Sequence, residues 1–469
     1  MVFNSGRTNF LSQPQINYSH KMNTVNESNN YFEDNTYTVR IENTENTSPI
    51  IIPKQFDNIQ VNNDTTINFS VDYLPTVTID FDSLHQIIRG FGGATPGYLP
   101  VMTLSEVDTA FGTDDGQIGL SILRIEIQPD SNLWARYLPS AKKAHDMGAI
   151  IIASPWNAPY NMVEAVNGTT KVRYDMYSEY AAYLNSFITY MKNNGVPIYG
   201  VSIQNEPEST SWTHWTPDEM LRFMKENAQV IEGTRVMDPE SWSFKRSYTD
   251  PILNDSAACA NTDIICGHIY GGGLGPYPLA EQKGKEVWMT EYLFGDQNSG
   301  NNWYWAMYLA TNINAVMKAD MSVYVWWTLV RYYGLIGDGT KAANPLDPNE
   351  SYPAKGEVTK KGYVMSQFSK FIHPGYYRVE SSVYPSIGSV DITAYKDSLS
   401  SKVVVVAVNS GSTEAETVFR IQNGTLPITF TPYTTSETKN CEQGTSFDVI
   451  GDSFTVTLEP SSITTFVLN

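Results

Sequence analysis

The sequence predicts an α/β fold, a (β/α)8 TIM barrel followed by a side β-sandwich domain. Eight apolar, strand-like runs lie between residues 87 and 328, with amphipathic helical patterns between them. Their ends recur about every 34 residues, which accommodates a strand, a helix and their loops. From about residue 376, short alternating runs typical of antiparallel strands replace the helical periodicity.

The barrel strands are predicted from short apolar runs that end in glycine or polar residues. In a closed barrel of parallel strands, the carboxyl ends of all eight meet at one mouth, where catalytic groups lie. The predicted strands are Ile87–Gly93, Leu120–Ile127, Ala149–Trp156, Ile198–Pro207, Arg235–Ser241, Ile264–Tyr270, Glu286–Glu291 and Val323–Thr328.

Three helical patterns between these strands are clear. Apolar residues follow helical spacing over Tyr177–Met191, before Asn-Asn-Gly. Thr216 is an expected N-cap, followed by a first-turn proline and a capping-box acid, for a helix expected to reach Ile231. The third pattern is Trp303–Met317.

The chain divides into four parts by composition and pattern. Residues 1–72 are a polar, Asn-rich lead or linker, in which the alternating run Tyr37–Ile41 could add an edge strand. Residues 73–87 are expected to form a strand that joins the side domain, residues 88–375 the barrel, and residues 376–469 the side β-sandwich.

Composition excludes several classes of partner. The net charge of −19 argues against binding to nucleic acid or to an anionic membrane, because both would be repelled. The three cysteines lack metal-ligand spacing, so neither a disulfide framework nor a zinc site is expected. No apolar run reaches the roughly 18–20 residues of a membrane helix. The N-terminus also lacks signal-peptide features, which leaves a cytoplasmic protein or one whose signal has been removed.

Two acids at strand ends suggest the chemistry. Glu206 ends the fourth predicted strand and Glu291 the seventh, so a barrel would direct both into one mouth. Paired carboxylates hydrolyse glycosides, one protonating the leaving oxygen and the other attacking the sugar, and a retaining enzyme keeps them about 5–5.5 Å apart. The alternative is a pair of solvated strand-end acids. Glu208 and Glu126 are other candidate acids.

Polar residues on neighbouring strands could support these acids. Arg124 is a plausible counter-charge for Glu291, with a structural salt bridge as the alternative. Asn205 could hold a sugar hydroxyl or cap the loop, and Tyr270 could hydrogen bond the nucleophile or pack in the core.

Tryptophans at two strand ends could wall a sugar-binding cleft. Trp156 ends the third predicted strand and Trp327 the eighth, and aromatic rings stack on sugar faces, although a core position is the competing interpretation for both. Trp326 is predicted to be a core residue, because neighbours on a strand face opposite ways.

Seven motifs, in order, resemble glycoside hydrolase family 30, most closely the bacterial glucuronoxylan endoxylanases of its subfamily 8. The resemblance runs from about residue 77 to the end of the chain. The motifs are GFGGA at 90–94, LSILRIEI at 120–127, ASPWNAP at 153–159, VSIQNEP at 201–207, WMTEY at 288–292, YVWW at 324–327 and KKGYVMSQFSKFIHPGYYRV at 360–379.

The resemblance implies a retaining double displacement without metal or cofactor, in which Glu206 is the acid/base and Glu291 the nucleophile. It implies a side β-domain built from both ends of the chain. The substrate would be β-1,4-xylan, cut internally where an Arg and a Tyr after the eighth strand hold a 4-O-methylglucuronate branch. WWTLVRYYG aligns without gaps, so these would be Arg331 and Tyr333. A bidentate guanidinium suits a uronate. A secreted or cell-surface monomer is expected.

The chain departs from the subfamily pattern near the branch site. Leu293 stands where a Tyr is usual, Thr328 and Val330 replace a Tyr and an Arg, and residues 337–358 form an insertion. Two alternatives stay open: another activity of the family, such as a xylobiose-releasing exo-enzyme or a β-glucosidase-like enzyme, and a non-catalytic xylan-binding protein.

Overall fold

The computed structural model describes residues 73–386, 388–400, 402–423, 428–449 and 451–468, together with four short strands nearer the N-terminus. Eight parallel strands form a closed barrel, in which the last strand pairs with the first. They are β1 (Gly90–Thr95), β2 (Ile122–Ile127), β3 (Ile150–Pro155), β4 (Ile198–Ser202), β5 (Arg235–Ser241), β6 (Ile264–His268), β7 (Glu286–Tyr292) and β8 (Val323–Trp326).

The predicted TIM barrel is therefore confirmed. Large side chains such as Trp288, Met237 and Ile152 fill its interior. A larger apolar core includes Phe187 of the Tyr177–Asn193 helix and Ile151 of β3. The helices are α1 (Leu104–Phe111), α2 (Leu138–Asp146), α3 (Tyr177–Asn193), α4 (Pro217–Glu226), α5 (Arg246–Asn254), α6 (Ser256–Ala260), α7 (Pro278–Gln282), α8 (Trp303–Lys318) and α9 (Lys360–Ser369).

Several element boundaries differ from the sequence prediction. The strand before the barrel ends at Ile87, and β1 starts at Gly90. Gly90 has a φ of +141°, and an added Cβ there would meet Ser121 Oγ at 2.1 Å, so this first position of β1 requires glycine. α4 has the predicted Thr216 capping box but ends at Glu226 rather than reaching Ile231. A short 3₁₀ turn follows it.

The largest difference concerns the fourth strand, which was predicted to run to Pro207. β4 ends at Ser202, and Glu206 lies in the turn beyond it. Because Glu206 lies in a turn, the direction of its side chain is not set by the alternation of side chains along a β-strand.

The side domain is a curled sheet of ten strands among the described residues. Nine of them follow residue 375, and the tenth is the strand Thr76–Ile87. That strand pairs antiparallel with Tyr376–Tyr384 and parallel with Ala415–Gln422. The two chain ends thus meet in one sheet. The later strands are β9 (Tyr376–Tyr384), β10 (Val390–Asp397), β11 (Val403–Asn409), β12 (Ala415–Gln422), β13 (Ile428–Ser436), β14 (Glu442–Gln443), β15 (Phe447–Val449), β16 (Ser453–Leu458) and β17 (Ser462–Leu468).

The side sheet packs against the two last helices of the barrel. Asn314 of α8 accepts a hydrogen bond from Thr393 of β10 at 2.8 Å, and Gln367 of α9 donates to Thr435 of β13 at 2.8 Å. These buried polar contacts fix the side domain against the outer helices of the barrel.

Much of the predicted lead, residues 1–72, lies outside the described residues. The strands Gln15–His20, Thr36–Glu42 and Lys54–Gln60 form a small antiparallel sheet, and Ile50–Ile51 pairs with Tyr73–Leu74. The run 37–41 is a strand as expected, but it is central in that sheet rather than at an edge. Among the described helices, none combines the length and apolar character needed to span a bilayer.

Candidate active site

The two predicted acids meet at the mouth of the barrel. Glu206 follows β4 and Glu291 lies near the end of β7, and both are almost completely buried. A carboxylate oxygen of each, with a ring nitrogen of His268, forms a group whose atoms all lie within 4.8 Å of one another. The two carboxylates therefore approach each other within the about 5–5.5 Å of retaining glycosidases, well inside the roughly 6.5–9.5 Å of inverting ones.

Local backbone geometry places the acid after β4. Glu206 has a φ of +43°, in the left-handed region that non-glycine residues seldom adopt, and its N–H donates to the Glu240 carbonyl at 3.0 Å. Glu240, in β5, has a φ of +57°. Such conformations persist only where the surroundings hold them, and they cluster at functional sites.

The carboxylate of Glu291 is held by two donors. Arg124 Nη1 donates to its Oε2 at 2.5 Å, and the Tyr270 hydroxyl donates to its Oε1 at 3.1 Å. Burial raises the pKa of Glu291, and the positive charges of His268 and Arg124 oppose that rise. Both donors favour the ionised carboxylate and fix the direction of its oxygens.

A buried imidazole joins the two halves of the site. His268 Nδ1 lies 2.9 Å from Glu206 Oε1, and its Nε2 lies 3.2 Å from Glu240 Oε2. Burial would lower the pKa of His268, but the three surrounding carboxylates raise it to about 10. The ring is therefore protonated at neutral pH and donates from both nitrogens.

Glu240 is the charged anchor of this network. Burial would raise its pKa, but Arg124 and His268 lower it well below the ordinary value. The hydroxyls of Ser202 and Ser154 donate to its Oε1 at 2.6 and 3.1 Å, and the Thr290 hydroxyl donates to its Oε2. An acid so fully satisfied is suited to holding its neighbours rather than to exchanging protons.

Replacing His268 by glutamine is expected to lower the free energy of unfolding by about 3–5 kcal/mol, because it leaves buried carboxylates without their cation. The raised pKa of His268 stabilises the fold fully below pH 6.5, and this contribution is lost as pH rises through about 10. Urea unfolding should therefore show a larger deficit at about pH 5.5 than at about pH 9.5.

The control for this substitution is His145→Gln, at a partly exposed histidine of α2. It should cost less than about 0.5 kcal/mol at either pH. A deficit in His268→Gln that stays constant with pH would contradict a protonated imidazole.

The same three side chains are the one described group with spacing suited to a metal ion. The Arg124 guanidinium already places a positive charge against Glu291 and lies 3.7 Å from Glu240, another carboxylate that contacts His268. The charges thus suit a pair of catalytic acids better than a metal centre.

Asn205 lies beside the acids, and its side-chain amide nitrogen is unpaired among the described residues. Its Oδ1 accepts from Arg124 Nη2 at 2.7 Å, while its buried Nδ2 has no partner among the described residues. The amide nitrogen can therefore donate to a bound hydroxyl, in line with the predicted sugar contact.

Aromatic rings line one side of the mouth. Trp156 and Trp327 contact each other with ring centroids 5.6 Å apart, and Tyr98, which is 70% exposed, lies 6.3 Å from Trp327. Trp326 is fully buried and lies 4.9 Å from the Lys361 ammonium, as a core residue should. We call Tyr98, Trp156 and Trp327 the first aromatic wall.

The predicted branch-binding pair follows β8. The Arg331 guanidinium lies over the Tyr332 ring at 5.0 Å, and its Nη1 donates to Asp338 at 3.1 Å. Tyr333 is buried next to Tyr332. A carboxylate from the 337–358 insertion thus already engages one side of the guanidinium.

A buried lysine anchors the loop that carries this pair. Lys361 of α9 donates to the carbonyls of Phe294 and Tyr333 at 3.2 and 3.4 Å. Burial lowers the pKa of Lys361 to about 7. Its ammonium thereby links the loops that follow β7 and β8.

The alternative acids are engaged elsewhere. Glu208 accepts from the Trp242 N–H at 3.0 Å, and Glu126 accepts from the Gly97 N–H at 2.6 Å. Of the positions that depart from the subfamily pattern, Thr328 is buried and Leu293 packs against the barrel interior.

Sequence reasoning missed His268, Glu240 and Tyr98. The first could have been found, because in the predicted strand 264–270 it shares a face with Tyr270, which was assigned to the site. Glu240 is an acid inside an apolar run and gave a weaker signal. Tyr98 lies in a loop without periodicity, and nothing in the sequence pattern placed it at the cleft.

Known proteins of this architecture are similar over most of the chain. No family model matches it. Glucuronoxylanase XynC of Bacillus subtilis (strain 168) is 41% identical over 407 residues, covering 84% of this chain and 92% of the relative. A GH30 endoxylanase from Clostridium papyrosolvens C71 has a TM-score of 0.74 at 38% identity, covering 84% of this chain and 100% of that one. The glycoside hydrolase family 30 subfamily 8 xylanase Xyn30A of Clostridium acetobutylicum has a TM-score of 0.74 at 32% identity, covering 84% and 99%.

Proposed function

The chain belongs to glycoside hydrolase family 30, and from that premise we propose that it is a retaining endo-β-1,4-xylanase acting on glucuronoxylan. The observation that carries the proposal is the close pair Glu206 and Glu291, with Arg124 and Tyr270 donating to the second acid. The xylanase relatives support xylan as the substrate.

In the first step, Glu291 attacks the anomeric carbon while Glu206 protonates the glycosidic oxygen, so the leaving chain departs as an alcohol. Arg124 and Tyr270 hold the attacking carboxylate in one orientation, which lowers the entropic cost of attack. In the second step, Glu206 takes a proton from water, and the water displaces the sugar from Glu291 with overall retention.

His268 stabilises the two carboxylates through both steps. It contacts Glu206 at 2.9 Å and lies 3.8 Å from Glu291, so its positive charge moderates the repulsion between the two carboxylates. Asn205, held by Arg124, donates to a hydroxyl of the sugar undergoing attack.

Arg331 and Tyr333 hold the glucuronate branch. In a protein of net charge −19, a local guanidinium is needed to bind an anionic substituent. Arg331 keeps part of its guanidinium accessible, since its side chain is 31% exposed and Asp338 engages only Nη1 among the described contacts.

Arg331→Ala is expected to reduce kcat/KM on glucuronoxylan by about tenfold or more, because a charge-assisted hydrogen bond contributes about 1.5–3 kcal/mol. Undecorated xylooligosaccharides make no such contact and should lose less than about twofold. Steady-state kinetics on both substrates measure the difference. The exposed-face substitution Arg222→Ala, in α4, is the control. Equal losses on both substrates would contradict uronate binding.

Mass analysis of products from glucuronoxylan tests the activity itself. Aldouronic acids of mixed length support endo-cleavage at branches, whereas xylobiose alone would indicate an exo-enzyme. An absence of new reducing ends would reject hydrolysis in favour of simple binding.

Two further properties follow from this function. A polysaccharide is too large to enter a cell, so the enzyme acts outside the cell or at its surface. All the site residues named above come from one chain, so a monomer suffices, and size-exclusion chromatography coupled to light scattering would test this.

A further inference from the structure

A second aromatic surface lies across the mouth from the first aromatic wall. Trp242 follows β5, and it is the one tryptophan of the described residues with a strongly exposed ring, 46% accessible. Its indole packs on the ring of Tyr270 with centroids 4.6 Å apart and a 33° tilt. Trp134, Trp215, Trp288 and Trp326 are buried in cores, whereas the outer face of the Trp242 ring has no packing role.

The exposed ring is held in place by its backbone. The Trp242 N–H donates to Glu208 at 3.0 Å, and its carbonyl accepts from the Tyr270 N–H at 3.1 Å. Glu208 is in turn paired with Lys245 at 3.3 Å. A large apolar surface that is fixed and open to solvent is ready to bind without a further loss of backbone freedom.

Two contacts place Trp242 on the leaving-group side of the catalytic acids. Its ring contacts Tyr270, which donates to the nucleophile Glu291, and its N–H is bound by Glu208, two residues after the acid/base Glu206. Glu206 protonates the leaving oxygen. Trp242 is bound to the loop of Glu206 through Glu208, so its ring lies on the side of the departing segment.

The barrel order separates this region from the branch site. β5 and β6 lie opposite β1 and β2 in the closed ring of strands, whereas the first aromatic wall and Arg331 lie on the β8, β1 and β3 side. A xylan chain crossing the mouth would therefore meet aromatic rings on both sides of the scissile bond.

We propose that Trp242 is the stacking platform for the xylose residue on the leaving-group side of the cleavage point. This inference rests on the proposed function. The apolar face of a pyranose packs on an indole, and this would orient the leaving oxygen toward Glu206. Trp242 is thus a substrate-binding residue, whereas Glu208 and Tyr270 hold it in position.

The test compares a substrate with leaving-group sugars and one without. Trp242→Ala should reduce kcat/KM on xylohexaose about tenfold or more, while kcat/KM on β-xylobiosyl fluoride, whose leaving group is fluoride, should change less than about twofold. Trp242→Phe, which keeps an aromatic face, should recover most of the loss. Tyr384→Ala, at a 64% exposed ring in the side sheet, is the matched control and should change neither value.

Transfer to an added sugar gives a second readout that a purely structural role would not change. With β-xylobiosyl fluoride as donor and xylobiose as acceptor, the acceptor must occupy the leaving-group side. Trp242→Ala should lower the ratio of transfer to hydrolysis several-fold at unchanged fluoride release.

The possible failures are distinguishable. Trp242→Ala could lose activity equally on xylohexaose and β-xylobiosyl fluoride, or keep its activity on both. Either result would overturn the role of Trp242 and leave the proposed xylanase activity intact. A wild type that releases no sugar from xylan overturns both.

Discussion

Glutamine in place of Glu206 is expected to reduce hydrolysis of glucuronoxylan by about 10²–10⁴-fold, the contribution typical of general acid–base catalysis. The amide is nearly isosteric with the acid but has no proton to give to the leaving oxygen. A 2,4-dinitrophenyl xylobioside should show a burst of phenolate release, because that leaving group needs no proton. Its slow second phase would report the loss of base catalysis on water.

The control tests another candidate acid. Glu126→Gln, on β2, removes a carboxyl that accepts from the Gly97 N–H, and a glutamine oxygen can still accept that bond. It should keep turnover of xylan within about threefold. Unchanged turnover in Glu206→Gln, or a larger loss in Glu126→Gln, would move the proton donor away from Glu206.

The barrel could be predicted because its signal is repetitive. Eight apolar runs at regular spacing constrain one another, so small errors at any one boundary, such as Gly93 for Thr95, leave the architecture unchanged. The side domain was predicted for a similar reason, since several short strand-like runs follow residue 376 and the strand within residues 73–87 shows period two.

The position of Glu206 could be predicted only approximately. A hydrophobic pattern indicates where a strand begins, but it does not show a left-handed residue such as Glu206, whose N–H donates to the Glu240 carbonyl in the next strand. Contacts of this kind join residues 34 positions apart and leave no local periodicity.

The buried charges illustrate the same limit. Arg124 was expected to pair with Glu291, and its second partner Glu240 was not foreseen, although both contacts use the same guanidinium. His268 connects Glu240 to Glu206, so one cation positions two acids at once. Sequence spacing identifies the acids, whereas only the folded barrel shows how they share their counter-charges.

Glu291→Gln is expected to have an effect at least as large as that of the acid/base variant, on the order of 10⁴-fold or more, because a neutral amide cannot form the covalent intermediate. The two variants differ on the dinitrophenyl xylobioside. Glu206→Gln still releases phenolate in its first phase, whereas Glu291→Gln should release none above background.

Covalent labelling makes the assignment of Glu291 direct. An activated 2-deoxy-2-fluoro xylobioside should add one glycosyl mass to the wild type, on the peptide that contains Glu291, and nothing to Glu291→Gln. Arg124 and Tyr270 point their donors at this carboxylate, so an adduct on it has one oxygen in the ester and one in hydrogen-bond contact. Label on any other acid would overturn the roles proposed for both carboxylates, since the retaining mechanism requires attack by the group opposite the proton donor.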